Sequence, residues 1–235
     1  MEDRVRDGRG HPLTSPPPAA RDPAGFVRAN TALLPVPLTP EIQLHLASEA
    51  LPLWTKTEEE LAASGLPPPY WAFAWAGGQA LARYLLDNPA MIAGKQVLDL
   101  GAGSGLTGIA AMRAGAKSVM AVDIDAFAIA AIELNARANA VALHACCDDV
   151  LDRREKIADL VLVGDLFYEK PFANRVLMFL DAQIAAGATC LIGDPGRSYL
   201  PKERVRAIAT YSVPVSRDLE DNEIKKTSVW NLIAR

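Results

Sequence analysis

The chain has 235 residues, half of them hydrophobic and 22% charged, with a formal net charge of −4. That length supports one α/β domain with a full core, and the slightly acidic balance argues against a basic nucleic-acid surface or a polybasic membrane patch. Three cysteines (Cys146, Cys147, Cys190) are too few for a disulfide framework and fit a reducing compartment.

Eight of the 17 prolines fall in the first 40 residues, and residues 1–24 carry almost no large apolar side chains. They are expected to be a disordered leader, because nothing in them offsets the entropy of ordering. Residues 1–30 hold five arginines and four acids, which is not the composition of a transit peptide, and no apolar secretory centre is present. The longest uncharged stretch, Leu61 to Ala82, is interrupted by Pro67, Pro68, Pro69, Gly77 and Gly78, so no transmembrane helix is expected.

Thr39-Pro40-Glu41 reads as a helix start, with Ile42, Leu44, Leu46 and Leu51 as an apolar face, so residues 40–63 are expected to be helical, broken or restarted at Pro52. Gln79–Asp87 reads as a short helix. Residues 25–94 together form an expected N-terminal helical extension packed on a catalytic domain of residues 95–235. From residue 95 the pattern alternates. Strand-length apolar runs at Gln96–Leu100, Ser118–Val122, Val141–Cys147, Leu160–Val163 and Thr189–Ile192 are separated by helical stretches at Leu106–Ala114, Ala126–Asn139 and Phe172–Ala186. Short doubly apolar strands between helices imply a parallel sheet covered on both faces. Ala207–Val215 and Thr227–Ile233 read as an antiparallel closing pair.

The sharpest motif is VLDLGAGSGLTG, residues 97–108, running from the first strand of this region into a helix. Gly101 permits a tight turn, and Gly103 lets the backbone approach a ligand with no Cβ in the way. Asp123 ends the next strand, 22 residues after Gly101, where a carboxylate can accept from both ribose hydroxyls. A dinucleotide is the competing ligand. The third glycine, Gly105, gives G-x-G-x-G rather than the wider dinucleotide spacing, and Asp99 would repel a pyrophosphate while suiting a cationic ligand. S-adenosylmethionine, with a ribose, a sulfonium and an amino group, matches. The set resembles the seven-stranded S-adenosylmethionine-dependent methyltransferases. That resemblance implies a Rossmann-like sheet of order 3-2-1-4-5-7-6 with strand 7 antiparallel. It also implies Asp99 near the methionine end, Asp123 on the ribose, and Asp148 or Asp149, with Asp149 preferred, at the adenine amino group.

The fourth strand of the alternating region ends in VLVGDLFYEK, residues 161–170. At the carboxyl edge of an open sheet this places Asp165, Phe167 and Tyr168 beside the transferred group. The alternative for Asp165 is capping of the helix before Phe172. The segment PPPYWAFAWAGGQALARYLLDNP (67–89), with GDLFYEK (164–170) and LIGDPGR (191–197), resembles the lysine methyltransferases of the electron transfer flavoprotein beta subunit, from about Phe26 to the C-terminus.

The resemblance implies protein-lysine N-methylation with the flavoprotein beta subunit as protein partner; the charge balance makes neither nucleic acid nor membrane an expected partner. It puts Trp75 over the cofactor, counts Gly164 with the cofactor-binding residues, and matches Asp165 and Tyr168 to an Asp-x-x-Tyr motif. Animal members are mitochondrial, but this leader is not transit-like, so a bacterial cytoplasmic version is expected. A ribosomal-protein lysine, a small-molecule amine, and a non-catalytic cofactor-binding role remain as alternatives. Arg197 is open between a contact to the substrate protein and plain surface solvation. The adjacent cysteines lack metal-ligand spacing, and no metal site is read.

Overall fold

A computed structural model describes residues 22–47, 67–215 and 224–234. The leader, as far as residue 21, lies outside the described residues, as do residues 48–66, which hold the rest of the expected helix, and the charged connector 216–223.

The first elements correct the sequence reading. Asp22-Pro23-Ala24 belong to no leader. They open helix α1 (Pro23–Asn30), whose N-cap Asp22 accepts the Gly25 amide at 2.8 Å. The expected helix from residue 40 is instead the second arm of a hairpin, β1 (Ala32–Val36) and β2 (Thr39–Leu46). The reason is in the spacing: Ile42, Leu44 and Leu46 alternate with Gln43 and His45, which is period 2 and not 3.6, and those three are the buried ones. Pro40 is tolerated near the start of a strand at the sheet edge.

The rest follows the alternation. In chain order come α2 (Ala76–Asp87), β3 (Gln96–Leu100), α3 (Leu106–Arg113), β4 (Ser118–Asp123), α4 (Ala126–Ala138), β5 (His144–Cys147), β6 (Leu160–Gly164), α5 (Lys170–Ala185), β7 (Thr189–Asp194), β8 (Val205–Pro214) and β9 (Ile224–Leu232). The seven-stranded sheet runs β5-β4-β3-β6-β7-β9-β8. Strands β3 to β7 pair in parallel, and β9 is antiparallel to both neighbours. Counted within this sheet alone, that is the expected 3-2-1-4-5-7-6 order.

Successive side chains leave a strand on opposite faces. Val97, Leu160, Leu162 and Leu191 enter one core with Leu81 and Leu85 of α2 and Ile109 of α3. Leu98, Val161, Val163 and Ile192 enter the other with Val176, Phe179 and Leu180 of α5. Helix α2 is therefore a layer of the catalytic domain rather than part of a separate extension. The hairpin docks on α4 through two asparagines. Asn135 accepts from the His45 amide at 2.7 Å, and Asn139 both accepts from and donates to the Gln43 backbone. These side chains satisfy strand backbone groups that would otherwise lack partners. No described helix is long and apolar enough to cross a membrane.

Candidate active site

The strand order reverses direction between β3 and β6, and in open α/β sheets ligands bind at that switch point, beyond the carboxyl ends of the strands. The glycine loop lies there. Gly101 and Gly103 both have positive φ (+61° and +51°), which L side chains adopt only with strain. A Cβ on Gly101 would meet the Leu166 side chain at 2.8 Å, so the loop also seats against the segment after β6. The Gly103 amide donates to Asp123 Oδ2 at 2.9 Å, and the Asp125 amide donates to Asp123 Oδ1 at 3.0 Å. Asn135 reaches from α4 to donate to the Ser104 carbonyl at 2.8 Å, which fixes the far side of the loop.

Asp99 does not open into the cleft. It is 1% exposed, accepts from the Thr107 hydroxyl, and accepts from the Gly108 amide at 2.8 Å. It braces the start of α3, so the direct approach to the methionine end is not what its geometry provides. Burial pushes its carboxyl up to about 7; the Thr107 and Gly108 hydrogen bonds oppose the shift, and the Asp123 charge adds to it. Burial also raises Asp123 and Asp125. Next to Asp123, Ile124 is 74% exposed. A bare large apolar side chain beside that carboxylate is a surface on which a flat ring can pack. Its sequence signal is an isoleucine directly after a strand-ending acid, Asp123-Ile124.

Of the two acids after β5, Asp148 lies beside Asp123, its amide donating to the Asp123 carbonyl at 3.1 Å, with its carboxylate held by Arg153. Asp149 is held by Arg175 of α5 at 3.1 Å and accepts from the Leu151 amide. The geometry therefore gives the preference for Asp149 no support.

On the other side of the switch point, Asp165 follows β6 with φ +60°, an uncommon conformation for a residue with a Cβ, and is 7% exposed. Its amide donates to the Gly193 carbonyl at 3.0 Å. Its Oδ2 accepts from the Gly78 amide in the first turn of α2 at 3.0 Å. Its Oδ1 accepts from Arg197 Nε at 3.0 Å and Nη2 at 2.7 Å. Asp165 thus does support a helix N-terminus, but that of α2 and not that of α5. Gly164 packs closely on the same helix, where an added Cβ would lie 3.3 Å from the Gly78 Cα.

Trp75, the N-cap residue of α2, donates from its indole nitrogen to the Tyr70 carbonyl, and the Arg197 guanidinium lies 5.7 Å from its ring centre. Tyr168 is 46% exposed and packs beside Tyr70 and Phe172. Burial raises the Tyr168 hydroxyl above its ordinary value, with smaller pushes from Tyr70, Glu169 and Asp123. Phe167 corrects the expectation of a channel wall. It is 0% exposed, in the core against α5, because the chain turns at Asp165 and sends alternate side chains inward.

Two groups emerge. Gly101, Gly103, Asp123, Ile124 and Asp148 form a cradle that is acidic and glycine-lined, with room at Gly103, where the nearest atom to an added Cβ is 3.8 Å away. Such a cradle suits a ligand with a ribose, a base and positive charge, and it is hostile to a pyrophosphate. Trp75, Asp165, Tyr168 and Arg197 form an aromatic-walled mouth beside it.

A family model described as ribosomal protein L11 methyltransferase (PrmA) matches residues 80–166. The chain is 38% identical over 200 residues to the electron transfer flavoprotein beta subunit lysine methyltransferase of Mus musculus, covering 83% of this chain and 77% of that protein. It is 38% identical over 216 residues to the protein of that name from Danio rerio, covering 89% and 83%. It is 34% identical over 223 residues to the Caenorhabditis elegans homologue, covering 84% and 90%. Among solved structures, the ribosomal protein L11 methylase of Lactobacillus delbrueckii subsp. bulgaricus superposes with a TM-score of 0.50 at 21% identity, over 68% of this chain and 81% of that one. These flavoprotein-methyltransferase relatives are animal proteins and lend no support to the bacterial expectation.

Proposed function

The chain belongs to the electron transfer flavoprotein beta subunit lysine methyltransferase family, and on that premise we propose that it methylates lysine side chains of a flavoprotein beta subunit, aimed by Asp165 and walled by Tyr168 and Trp75. Its activity class is S-adenosylmethionine-dependent protein-lysine methylation. Bound in the cradle, S-adenosylmethionine supplies an electrophilic methyl on a cationic sulfur.

In this reading the loop backbone at Gly101, Gly103 and Gly105 receives the cofactor. Asp123 accepts from its ribose hydroxyls, Ile124 covers its base, and Asp148 stands nearest the base amino group. Asp99 acts indirectly, by holding the turn from β3 into α3. The chain's remaining task is to present an amine. A lysine with its ordinary pKa near 10.4 is neutral in only about 1 molecule in 2,500 at pH 7, a cost of about 4.6 kcal/mol. A site that excludes water lowers that cost by disfavouring the ammonium. Asp165 contributes orientation rather than basicity, since a carboxylate alone favours the charged form. Tyr168 and Trp75 enclose the lysine stem with apolar rings.

The observation that carries this reading is the placement of a strained, buried acid at the sheet's switch point, within an aromatic mouth beside a glycine-lined acidic cradle. A second target, a ribosomal-protein lysine, is favoured by the match of residues 80–166 to the L11 methyltransferase model. Purified protein with labelled cofactor, offered the flavoprotein and ribosomal protein L11 separately, tests both. Label on lysines of the beta subunit is expected. Label on L11 alone would replace the first target with the second, and label on neither would end the proposal.

A further inference from the structure

Arg197 holds the carboxylate that is meant to meet the amine. Its guanidinium places two nitrogens on Asp165 Oδ1, at 3.0 and 2.7 Å, and its side chain is largely withdrawn from solvent. It is pre-positioned rather than swinging freely. Asp194 Oδ1 accepts from both the Gly196 and Arg197 amides at 2.7 Å, so the loop after β7 is pinned at the residue that carries the guanidinium. The Trp75 ring faces the same guanidinium. Arg197 and Tyr168 line an open hollow together with Pro195, Gly196, Ser198 and Lys225.

We propose that Arg197 sets the protonation state of the acceptor lysine, by cancelling the charge of Asp165 so that the amine enters the mouth in its neutral, nucleophilic form. The role rests on the protein-lysine methyltransferase reading given above. A bare Asp165 would be the wrong partner for the reaction, since an opposite charge within about 4–6 Å raises a lysine pKa by roughly 1–3 units. Paired with a guanidinium on Oδ1, the same carboxylate keeps its shape and its Oδ2 edge while its field largely vanishes. It can still orient an N–H, but it no longer selects the ammonium. No group-transfer step is added: the proton leaves the ammonium to water before the amine attacks, and Arg197 shifts that prior equilibrium.

Other titratable groups surround the mouth and have to be separated from this effect. Asp194 lies under the Arg197 loop and feels Asp165; burial pushes it up to about 6, and the Arg197 charge opposes that. Tyr70, Tyr168 and Glu169 stand on the aromatic side, and Asp123 acts from β4.

The experiment is the pH dependence of kcat and KM for lysine methylation by the full chain, in wild type, Arg197→Ala, Arg197→Lys and Asp194→Asn. In Arg197→Ala the acidic limb of kcat is expected to move up by about one unit. Turnover then falls about tenfold near pH 7.5 and recovers above pH 9, while KM for the protein substrate stays level or drops. Arg197→Lys, which restores the charge, is expected to return the limb toward wild type. Asp194→Asn, which keeps an oxygen for the two loop amides, leaves the limb in place. A loss in Arg197→Ala that is equal at every pH, or a limb that does not move, would overturn the proposal and leave the methyltransferase reading standing. A limb that moves with Asp194→Asn would assign the titration to Asp194 and would also overturn it. A wild-type chain that methylates no lysine refutes both readings.

Discussion

Two adjacent glycines at the start of α2 are expected to respond to alanine with opposite signs. On helix propensity alone, either substitution should stabilise the protein by about 0.5–1 kcal/mol. At Gly78 an added Cβ meets only the tip of Leu106, at 3.9 Å, so that gain should be realised. At Gly77 the Cβ overlaps the Gly193 carbonyl oxygen, lies 2.6 Å from the Gly193 carbonyl carbon, and lies 2.5 Å from Asp165 Oδ2. Carbon atoms pack at about 3.5–4.0 Å, so the helix must retreat by about 1 Å. That retreat would break the 3.0 Å hydrogen bond from the Gly78 amide to Asp165. Overpacking costs about 1–3 kcal/mol, and a hydrogen bond to a charged group contributes about 1.5–3 kcal/mol. After subtracting the propensity gain, Gly77→Ala should be destabilised by roughly 2–5 kcal/mol, which for a chain of this size lowers Tm by roughly 5–20 °C. Thermal unfolding followed by circular dichroism reads both variants. A Gly77→Ala protein that melts at or above the wild-type temperature would refute the close seating of α2 on β7 on which the geometry of Asp165 depends.

Cofactor binding should separate the acids of the cradle. Asp123→Ala leaves the Gly103 and Asp125 amides without their carboxylate. It is expected to weaken S-adenosylhomocysteine binding by about 10- to 150-fold in calorimetry, the equivalent of about 1.5–3 kcal/mol. Asp148→Ala should weaken it measurably, while Asp149→Ala should not. The reverse order for those two would restore the assignment drawn from sequence. Folding stability should show an unusual pH slope. Asp99, with a folded pKa of about 7 against an unfolded value near 4, binds protons more tightly when folded. Its contribution is therefore present at low pH and lost as pH rises from about 4 to about 7. Asp99→Asn can still accept from the Gly108 amide and can donate to the Thr107 hydroxyl, so its Tm advantage over wild type should grow from pH 5 to pH 8. A constant difference across that range would contradict the buried, proton-retaining Asp99.

Sequence alone settled what depends on local pattern. Doubly apolar strand runs between amphipathic helices dictated a covered parallel sheet, because Val97 and Leu98, or Val161 and Leu162, have to leave the strand on opposite faces and both be buried. The turn at Gly101 and Gly103 and the strand-end position of Asp123 were legible because chain geometry within one β-α-β unit fixes them. Even the hairpin is written in the sequence, as alternation at Ile42, Leu44 and Leu46, although Thr39-Pro40-Glu41 carries a competing helix-start signal that tertiary packing overrides.

What the fold alone decided depends on which side chains from distant segments meet. Asp165, Arg197, Gly78 and Gly193 are brought together by the order in which β6, β7 and α2 pack, and no spacing within any one motif encodes that meeting. The same holds for Asp99, which is a cleft acid by motif and a buried brace by packing. Phe167 likewise looked like a wall of the mouth and belongs to the core. Local sequence specifies the elements because backbone preference and burial period act over a few residues. The electrostatic state of a site is set by charges a few ångströms apart in space, and only the tertiary arrangement determines which charges those are.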